Sequence, residues 1–75
     1  MIRVLFLGRL ADSAGAGERS VEPQPDLHAL IASFEPALAE ALRSDKVRVA
    51  VNGVVGAADL ADGDEVAFLP PVSGG

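Results

Sequence analysis

The chain has 75 residues, a formal net charge of −5 and no cysteine. A chain of this length forms one domain and buries only about 60% of its unfolded surface. The lack of thiols excludes disulfides, a cysteine nucleophile and zinc–thiolate sites. A hydrophobic fraction of 49% argues against disorder. The six basic residues are scattered, so the composition disfavours nucleic-acid binding, whereas an acidic surface favours an electropositive partner.

The N-terminal segment is apolar and predicts a strand over residues 2–7. Large and β-branched residues follow one another there without a break, which is typical of a strand buried on both faces. The run is too short to span a membrane, and it has neither the basic flank nor the cleavage site of a signal peptide. We therefore expect a cytoplasmic protein that does not engage a membrane.

Two further segments complete the N-terminal third. Residues 8–17 are rich in Gly, Ala, Ser and Asp and are predicted to form a loop. Residues 18–22 alternate, with Arg19 and Val21 on one side, which predicts a second strand paired with the first as a hairpin. Proline residues directly after this segment end the strand.

The middle of the chain carries a helical pattern. Asp26 is placed to cap a helix through its side chain. Apolar residues at steps of three and four then form one stripe: Leu27, Leu30, Ile31, Phe34, Leu38 and Leu42. Pro36 would cost about 3 kcal/mol inside a continuous helix. We therefore predict that it begins a second short helix over residues 36–43.

Three β segments are predicted in the C-terminal half. Residues 46–51 alternate, with valines on one side, and predict a half-buried strand. The Asn-Gly pair at residues 52–53 is a strong hairpin signal because both residue types tolerate positive φ. Residues 54–55 would be the return strand, and residues 65–69 the last strand.

The order of these elements predicts an α+β fold. We expect a mixed sheet of four to five strands with one main helix across one face. The first and last strands have the most continuous apolar character, so they should lie side by side in the centre. Val66 and Phe68 would then face the helix, whereas Leu69 would point outward with Leu5 and Leu7. An outward patch of leucines on a small protein is typical of an interface.

The chain ends in a segment that predicts an extended tail. We assign residues 1–69 to the domain and residues 70–75 to the tail, Pro-Pro-Val-Ser-Gly-Gly. Proline donates no ladder hydrogen bond and ends the strand, and glycine lacks a Cβ and fits a narrow cleft. We expect Gly75 to present its carboxylate away from the domain, as the group at which the chemistry occurs.

Other candidate sites have simpler explanations. His28 falls in the first turn of a helix, with no second ligand at metal-binding spacing. Asp59, Asp62, Asp64 and Glu65 lack the spacing of an EF-hand loop. We expect these acids to form turns and a solvated face that helps to dock a basic partner. The sequence thus predicts no metal site.

The segment from Asp62 to Gly75 resembles one family closely. It reads Asp-Gly-Asp-Glu-Val-Ala-Phe-Leu-Pro-Pro-Val-Ser-Gly-Gly, which is very similar to the end of the small subunit of molybdopterin synthase, the MoaD family. Residues 1–6 and 50–52 are similar to that family too. A terminal Gly-Gly alone is a weak signal, but this whole pattern at this chain length is a strong one. The family consists of sulfur carriers with a β-grasp, or ubiquitin-like, fold.

The resemblance implies a function for the tail. An E1-like activating enzyme would use ATP to adenylate the carboxylate of Gly75, and a sulfur donor would convert it to a thiocarboxylate. The tail would enter the active site of the synthase large subunit, in a 2:2 heterotetramer, and deliver sulfur to the molybdopterin precursor. The chain would bind no cofactor and catalyse nothing on its own. The residues implied to contact partners are Leu69, Pro70, Pro71, Val72, Ser73 and Gly74.

Three alternatives remain open. One is the related sulfur carrier for thiamine thiazole synthesis, whose chains typically lack the two prolines before the tail. Another is a ubiquitin-like modifier whose tail forms an isopeptide bond with a target lysine. The third is a β-grasp interaction module with an unreactive tail. An autonomous enzyme is the least favoured class, because the chain has no Cys and no paired His, Asp and Ser constellation.

Overall fold

The computed structural model describes residues 1–71 of the chain. Five strands and three short helices lie within that range. The strands are β1 (Ile2–Phe6), β2 (Glu18–Val21), β3 (Arg48–Val51), β4 (Val54–Val55) and β5 (Glu65–Leu69). The helices are α1 (Leu10–Ala14), α2 (Leu27–Ala32) and α3 (Pro36–Leu42).

The strands form one mixed sheet in the order β2-β1-β5-β3-β4. β1 and β5 are central and parallel, with Val4 opposite Val66 and Phe6 opposite Phe68. β2 pairs antiparallel with β1, and β3 pairs antiparallel with β5. The predicted β-grasp arrangement, with the first and last strands side by side, is confirmed.

The inner face of the sheet packs against the helices. Its central side chains are at most 3% exposed: Ile2, Val4, Phe6, Val66 and Phe68. The ring of Phe6 stacks on Phe68 and meets Phe34 edge-on, with ring centroids 5.8 Å apart in both pairs. Aromatic burial of this kind supplies a large share of the apolar stabilisation available to a small domain.

The helical layer contains two separate helices, α2 and α3, which begin where Asp26 and Pro36 predict. The Asp26 carboxylate accepts a hydrogen bond from the Ala29 N–H at 2.8 Å and caps α2, while Pro36 lies in the first turn of α3. Leu30 and Leu38 are both buried, so the apolar stripe continues across the break. The expected main helix is therefore two short helices. None of the helices within the described range is long and apolar enough to cross a membrane.

The prediction of a loop over residues 8–17 is wrong at its centre, where α1 lies. Leu10 and Ala14 are one helical turn apart and only 5% and 4% exposed. The helix ends at Gly15, which adopts a left-handed φ of 77°. An isolated five-residue helix is not stable in water, so tertiary burial of these two side chains stabilises it. A segment this short carries too little periodicity to be recognised in the sequence.

The hairpin between β3 and β4 forms as predicted. Asn52 and Gly53 have φ angles of 50° and 83°, the left-handed conformations that a tight two-residue hairpin requires. β3 begins at Arg48, two residues later than predicted, although Val47 still packs against the core. The other strand boundaries lie within one residue of the prediction.

Candidate functional site

The start of the C-terminal segment, Pro70 and Pro71, which we call the stem, leaves the sheet between β1 and β3. The Leu7 N–H donates a hydrogen bond to the Phe68 carbonyl at 3.1 Å, and Leu69 lies opposite Arg48 of β3. β5 thus has a neighbour on each side until it ends. The direction in which the chain leaves the domain is therefore set by the centre of the sheet and not by a free edge.

Gly8 provides the space in which the Pro70 ring packs. Gly8 has a φ of +54°, and a Cβ added to it would lie 2.9 Å from Cγ of Pro70. Carbon atoms in contact are normally about 3.5 to 4.0 Å apart. Gly8 therefore permits both the turn after β1 and the close approach of the stem. Sequence reasoning missed this role, for which the available signal was a glycine directly after a buried strand.

Six apolar residues, which we call the outer patch, lie across the outer face of the sheet and beside the stem. They are Leu5, Leu7, Ala50, Val55, Ala67 and Leu69. Residues opposite one another on paired strands share a face, and Ala67 lies opposite Leu5 on one side and Ala50 on the other. Leu7 is 43% exposed and Val55 is 61% exposed. Apolar patches of this kind are typical of protein–protein interaction surfaces.

Charged residues border the outer patch. Arg48 is exposed next to Leu69. Nη2 of Arg3 lies 2.9 Å from the Glu65 carboxylate, and Nε of Arg3 lies 3.4 Å from that of Glu18. Exposed ion pairs of this kind add little to stability. They form the polar rim that usually surrounds the apolar centre of an interface.

The Gly-Asp-Glu motif before β5 fixes the other end of that strand. The Asn52 side-chain amide donates to Asp64 at 2.9 Å and accepts from the Glu65 N–H at 3.0 Å. The Ala61 N–H donates to the second carboxylate oxygen of Asp64 at 2.8 Å. These hydrogen bonds hold the pKa of Asp64 below its usual value. The motif therefore sets the register of β5 against β3, and with it the position of the stem.

Asp62, in the turn before β5, serves local structure. Asp62 pairs with the N-terminal ammonium of Met1, and that hydrogen bond lowers the pKa of the Asp62 carboxyl. His28 is exposed. Within residues 1–71, no group of three or more His, Cys, Asp or Glu side chains is arranged to hold a metal ion.

Arg19 organises a second cluster that sequence reasoning missed. Its guanidinium carbon lies 5.9 Å from the ring centroid of Phe6 and 5.8 Å from that of Phe34. The guanidinium donates to the Glu35 carboxylate at 3.0 and 3.1 Å and to the Ala14 carbonyl. The hydrogen bond from Arg19 lowers the pKa of Glu35 to about 2. This cluster joins β2 to the helical layer.

The structure describes three of the predicted site residues, and all three are half-buried: Leu69, Pro70 and Pro71. It brings Leu69 into the outer patch and Pro70 against Gly8. The other four lie outside the described residues: Val72, Ser73, Gly74 and Gly75. Their roles, and the boundary between residues 1–69 and the tail, stay predictions.

Known proteins resemble the chain over almost its whole length. Residues 4–75 match the model of the ThiS family. The chain is 40% identical over 81 aligned residues to the molybdopterin synthase sulfur carrier subunit of Escherichia coli (strain K12), with 100% of both chains covered. The crystal structure of SAMP1 from Haloferax volcanii matches with 32% identity and a TM-score of 0.76, covering 99% of this chain and 98% of that one. The solution structure of small archaeal modifier protein 1 from Methanosarcina acetivorans matches with 25% identity and a TM-score of 0.80, covering 99% and 95%.

Proposed function

Since the chain belongs to the ThiS family and is a sulfur carrier of the MoaD/ThiS type, we propose that it is the sulfur-donating small subunit of molybdopterin synthase. The 40% identity over the full length of the Escherichia coli sulfur carrier subunit supports this assignment. The two prolines at the start of the stem favour it over the carrier for thiamine thiazole synthesis. The chain acts as a ubiquitin-like carrier subunit, and the synthase reaction takes place in the large subunit.

The proposed chemistry begins with activation of Gly75. A carboxylate is a poor electrophile because it lacks a good leaving group. In the active site of an E1-like enzyme, the Gly75 carboxylate attacks the α-phosphorus of ATP and displaces pyrophosphate, giving an acyl adenylate. A hydrosulfide equivalent from the sulfur donor then attacks the acyl carbon, and AMP leaves. The product is a thiocarboxylate whose sulfur is nucleophilic.

The second step takes place in the large subunit. The tail enters its active site, where the thiocarboxylate sulfur bonds to a carbon of the molybdopterin precursor with loss of an oxygen substituent. Water then cleaves the resulting thioester and releases the Gly75 carboxylate. Two such transfers, each from one thiocarboxylate, give the dithiolene. The outer patch docks on the large subunit, while the contact between Gly8 and Pro70 directs the stem toward the active site. We propose a 2:2 heterotetramer in the cytoplasm, with one small subunit at each end of a large-subunit dimer. This chain contributes no bound cofactor.

Intact mass spectrometry tests the carrier chemistry directly. The protein is incubated with ATP, a family activating enzyme and a sulfide source, next to a variant that lacks Gly75. We expect the full chain to gain the sulfur-for-oxygen mass difference at Gly75, and the shortened variant to gain nothing. If an activating enzyme that modifies a known carrier leaves this chain unchanged, the carrier proposal is wrong and an interaction module is favoured.

Gly75→Ala separates folding from chemistry. We expect its denaturation curve to match that of the unmodified chain, because residue 75 lies beyond the core-forming strand. We expect slower thiocarboxylate formation, because the added Cβ obstructs a close-fitting site around the acyl carbon. Full activity of this variant would contradict a tightly fitted tail.

A protein modifier is the second candidate function. The 32% identity to SAMP1 and the similarity to a small archaeal modifier protein favour keeping it. Adenylation of Gly75 would be common to both functions. Cell extracts that contain the tagged chain should then show conjugates that disappear when Gly75 is deleted. Thiocarboxylate formation without such conjugates would favour the synthase subunit.

A further inference from the structure

β2 is an edge strand, and its outer edge is open to solvent. It is the outermost strand next to β1, and the Phe6 N–H donates to the Gly17 carbonyl at 2.9 Å. Antiparallel pairs alternate between hydrogen-bonded and non-hydrogen-bonded, so the backbone groups of Arg19 and Val21 point toward β1. Those of Ser20 point away from it. Among residues 1–71, the backbone hydrogen bonds outside the strand ladders do not include Ser20.

A surface cavity lies directly beneath this edge. Its volume is about 440 Å³, and its lining comes from the start of β1, from β2 and from the end of α2: Met1, Ser20, Val21, Glu22, Gln24 and Ser33. A strand placed beside β2 would point every second side chain toward the inner layer, because side chains alternate along a strand. The cavity is where such a side chain would enter. An open edge with an adjoining cavity is the arrangement used for recognition by strand addition.

The charges along this edge indicate which kind of strand can bind there. Glu18 and Glu22 are exposed, four residues apart, with Ser20 between them on the same face. Arg19 does not offset them, because it is engaged with Glu35. Arg3 lies 3.4 Å from the Glu18 carboxylate, but it is shared with Glu65, so this edge keeps a net negative charge. A second copy paired antiparallel about Ser20 would place Glu18 opposite Glu22, which is destabilising. The edge therefore disfavours self-pairing and favours a basic strand.

We propose that the β2 edge binds an extended segment of a partner protein in which two basic residues are separated by an apolar–small–apolar triplet. The basic side chains would lie beside Glu18 and Glu22, and the apolar ones would face the inner layer, one of them in the cavity. The central residue would exchange backbone hydrogen bonds with Ser20. β2 lies at the edge of the sheet, away from the stem, so a partner held there leaves the C-terminal stem accessible.

An NMR titration of the full chain tests the proposal. The probe is the peptide Gly-Lys-Val-Thr-Val-Lys-Gly, and the matched control replaces both lysines with glutamates. We expect the lysine peptide to shift the amide signals of Ser20, Val21 and Ser33. The glutamate peptide should bind at least about threefold more weakly, because it exchanges two surface ion pairs for like-charge contacts. No shifts at millimolar lysine peptide, or equal binding of both peptides, would overturn the proposal.

Two changes remove the backbone contact. Ser20→Pro deletes the outward N–H, and an edge strand tolerates proline at a position that faces solvent. A peptide N-methylated at its central threonine deletes the reciprocal donor and leaves the protein unaltered, so the test survives a folding defect in the variant. Each change should weaken binding about fivefold. Unchanged binding of the N-methylated peptide would contradict strand addition.

Charge variants and concentration series complete the design. Glu22→Gln should weaken binding of the lysine peptide about twofold, whereas Glu40→Gln, an exposed change on α3, should leave its affinity unchanged.

Shifts centred on Leu5 and Ala67 would place the peptide on the outer patch and overturn the proposal. Shifts of Ser20 that grow with protein concentration alone would show that the occupant is a second copy. Peptide binding should persist in the variant that lacks Gly75, so this inference and the carrier function fail separately.

Discussion

The two faces of β5 differ in what covers them. On the inner face, Val66 and Phe68 are fully buried and belong to the core formed with the helices. On the outer face, Ala67 and Leu69 are half-buried, and their lateral neighbours are other strands. Because side chains alternate along a strand, neighbouring residues of β5 lie on opposite faces of the sheet. One five-residue strand therefore stabilises the fold with one face and leaves the other outside the core.

The same strand also positions Pro70, the residue that follows it. Its first end is fixed by the hydrogen bonds of Asp64 with Asn52 and Ala61, and its last residue leads directly into Pro70 beside Gly8. The core on one face therefore determines where Pro70 and the outer patch on the other face lie. Substitutions on the two faces should have separable effects.

The largest effect is expected on the inner face. Phe68→Ala removes a fully buried ring that stacks on Phe6, and it should lower the free energy of unfolding by about 3 to 5 kcal/mol. Urea denaturation followed by circular dichroism measures this loss. Phe34→Ala should fall in the same range, because Phe34 is only 8% exposed. A loss of less than about 1 kcal/mol would show that these rings are not core residues.

A substitution on the outer face of β5 should weaken partner binding and leave the free energy of unfolding almost unchanged. Leu69→Ala should change the free energy of unfolding by less than about 1 kcal/mol, since Leu69 is half-buried. Its affinity for the large subunit should fall about tenfold if Leu69 lies at the centre of the interface. Calorimetric titration of the large subunit measures this change. A stability loss as large as that of Phe68→Ala would mean that the two faces are not separable.

Gly8→Ala tests the contact between the turn after β1 and Pro70. It should cost about 1 kcal/mol because a Cβ is disfavoured at positive φ, and it should also slow sulfur transfer by displacing Pro70. Gly53→Ala is the matched control, because Gly53 has a φ of +83° but nothing within 4 Å of an added Cβ. Both variants should lose similar stability in urea, and only Gly8→Ala should lose transfer rate. Equal transfer rates would show that the Gly8–Pro70 contact does not aim the stem.

The smallest effect is expected at Glu35, outside both surfaces. Its pKa falls from 4.5 to about 2 because Arg19 donates hydrogen bonds to its carboxylate. A lowered folded-state pKa adds stability that is present above pH 4.5 and is lost as the pH falls toward 2. The effect is small because the carboxylate is exposed to solvent. Thermal melting across this range should show a steeper decline for the unmodified chain than for Glu35→Gln, and parallel curves would exclude the contribution.

The agreement between sequence and structure is closest where the signal is local. Asp26, Pro36 and the Asn52-Gly53 pair each act within a few residues of the chain, and each has the predicted cap, helix start or hairpin turn. The alternation of β5 likewise predicted which residues face the helices. These features follow from backbone geometry and side-chain spacing, which a sequence displays directly.

The features that were missed depend on residues far apart in the chain. α1 is stable only because Leu10 and Ala14 are buried under other elements. The role of Gly8 depends on Pro70, and the cluster around Arg19 depends on Glu35 and two aromatic rings. A local pattern can single out one such residue, as the glycine after β1 does, but it does not show which distant residue will contact it.

The sequence by itself determined the fold class, the element types other than α1, the family resemblance and the chemistry expected of Gly75. It could do so because periodicity, turn residues and the motif before the tail are all local patterns. The tertiary structure alone decided that the Pro70 ring packs over Gly8, that Ala50 and Val55 extend the outer patch, and that a cavity adjoins the open edge of β2. These depend on strand order and register, which are set when distant segments pack together to bury the apolar face of the sheet.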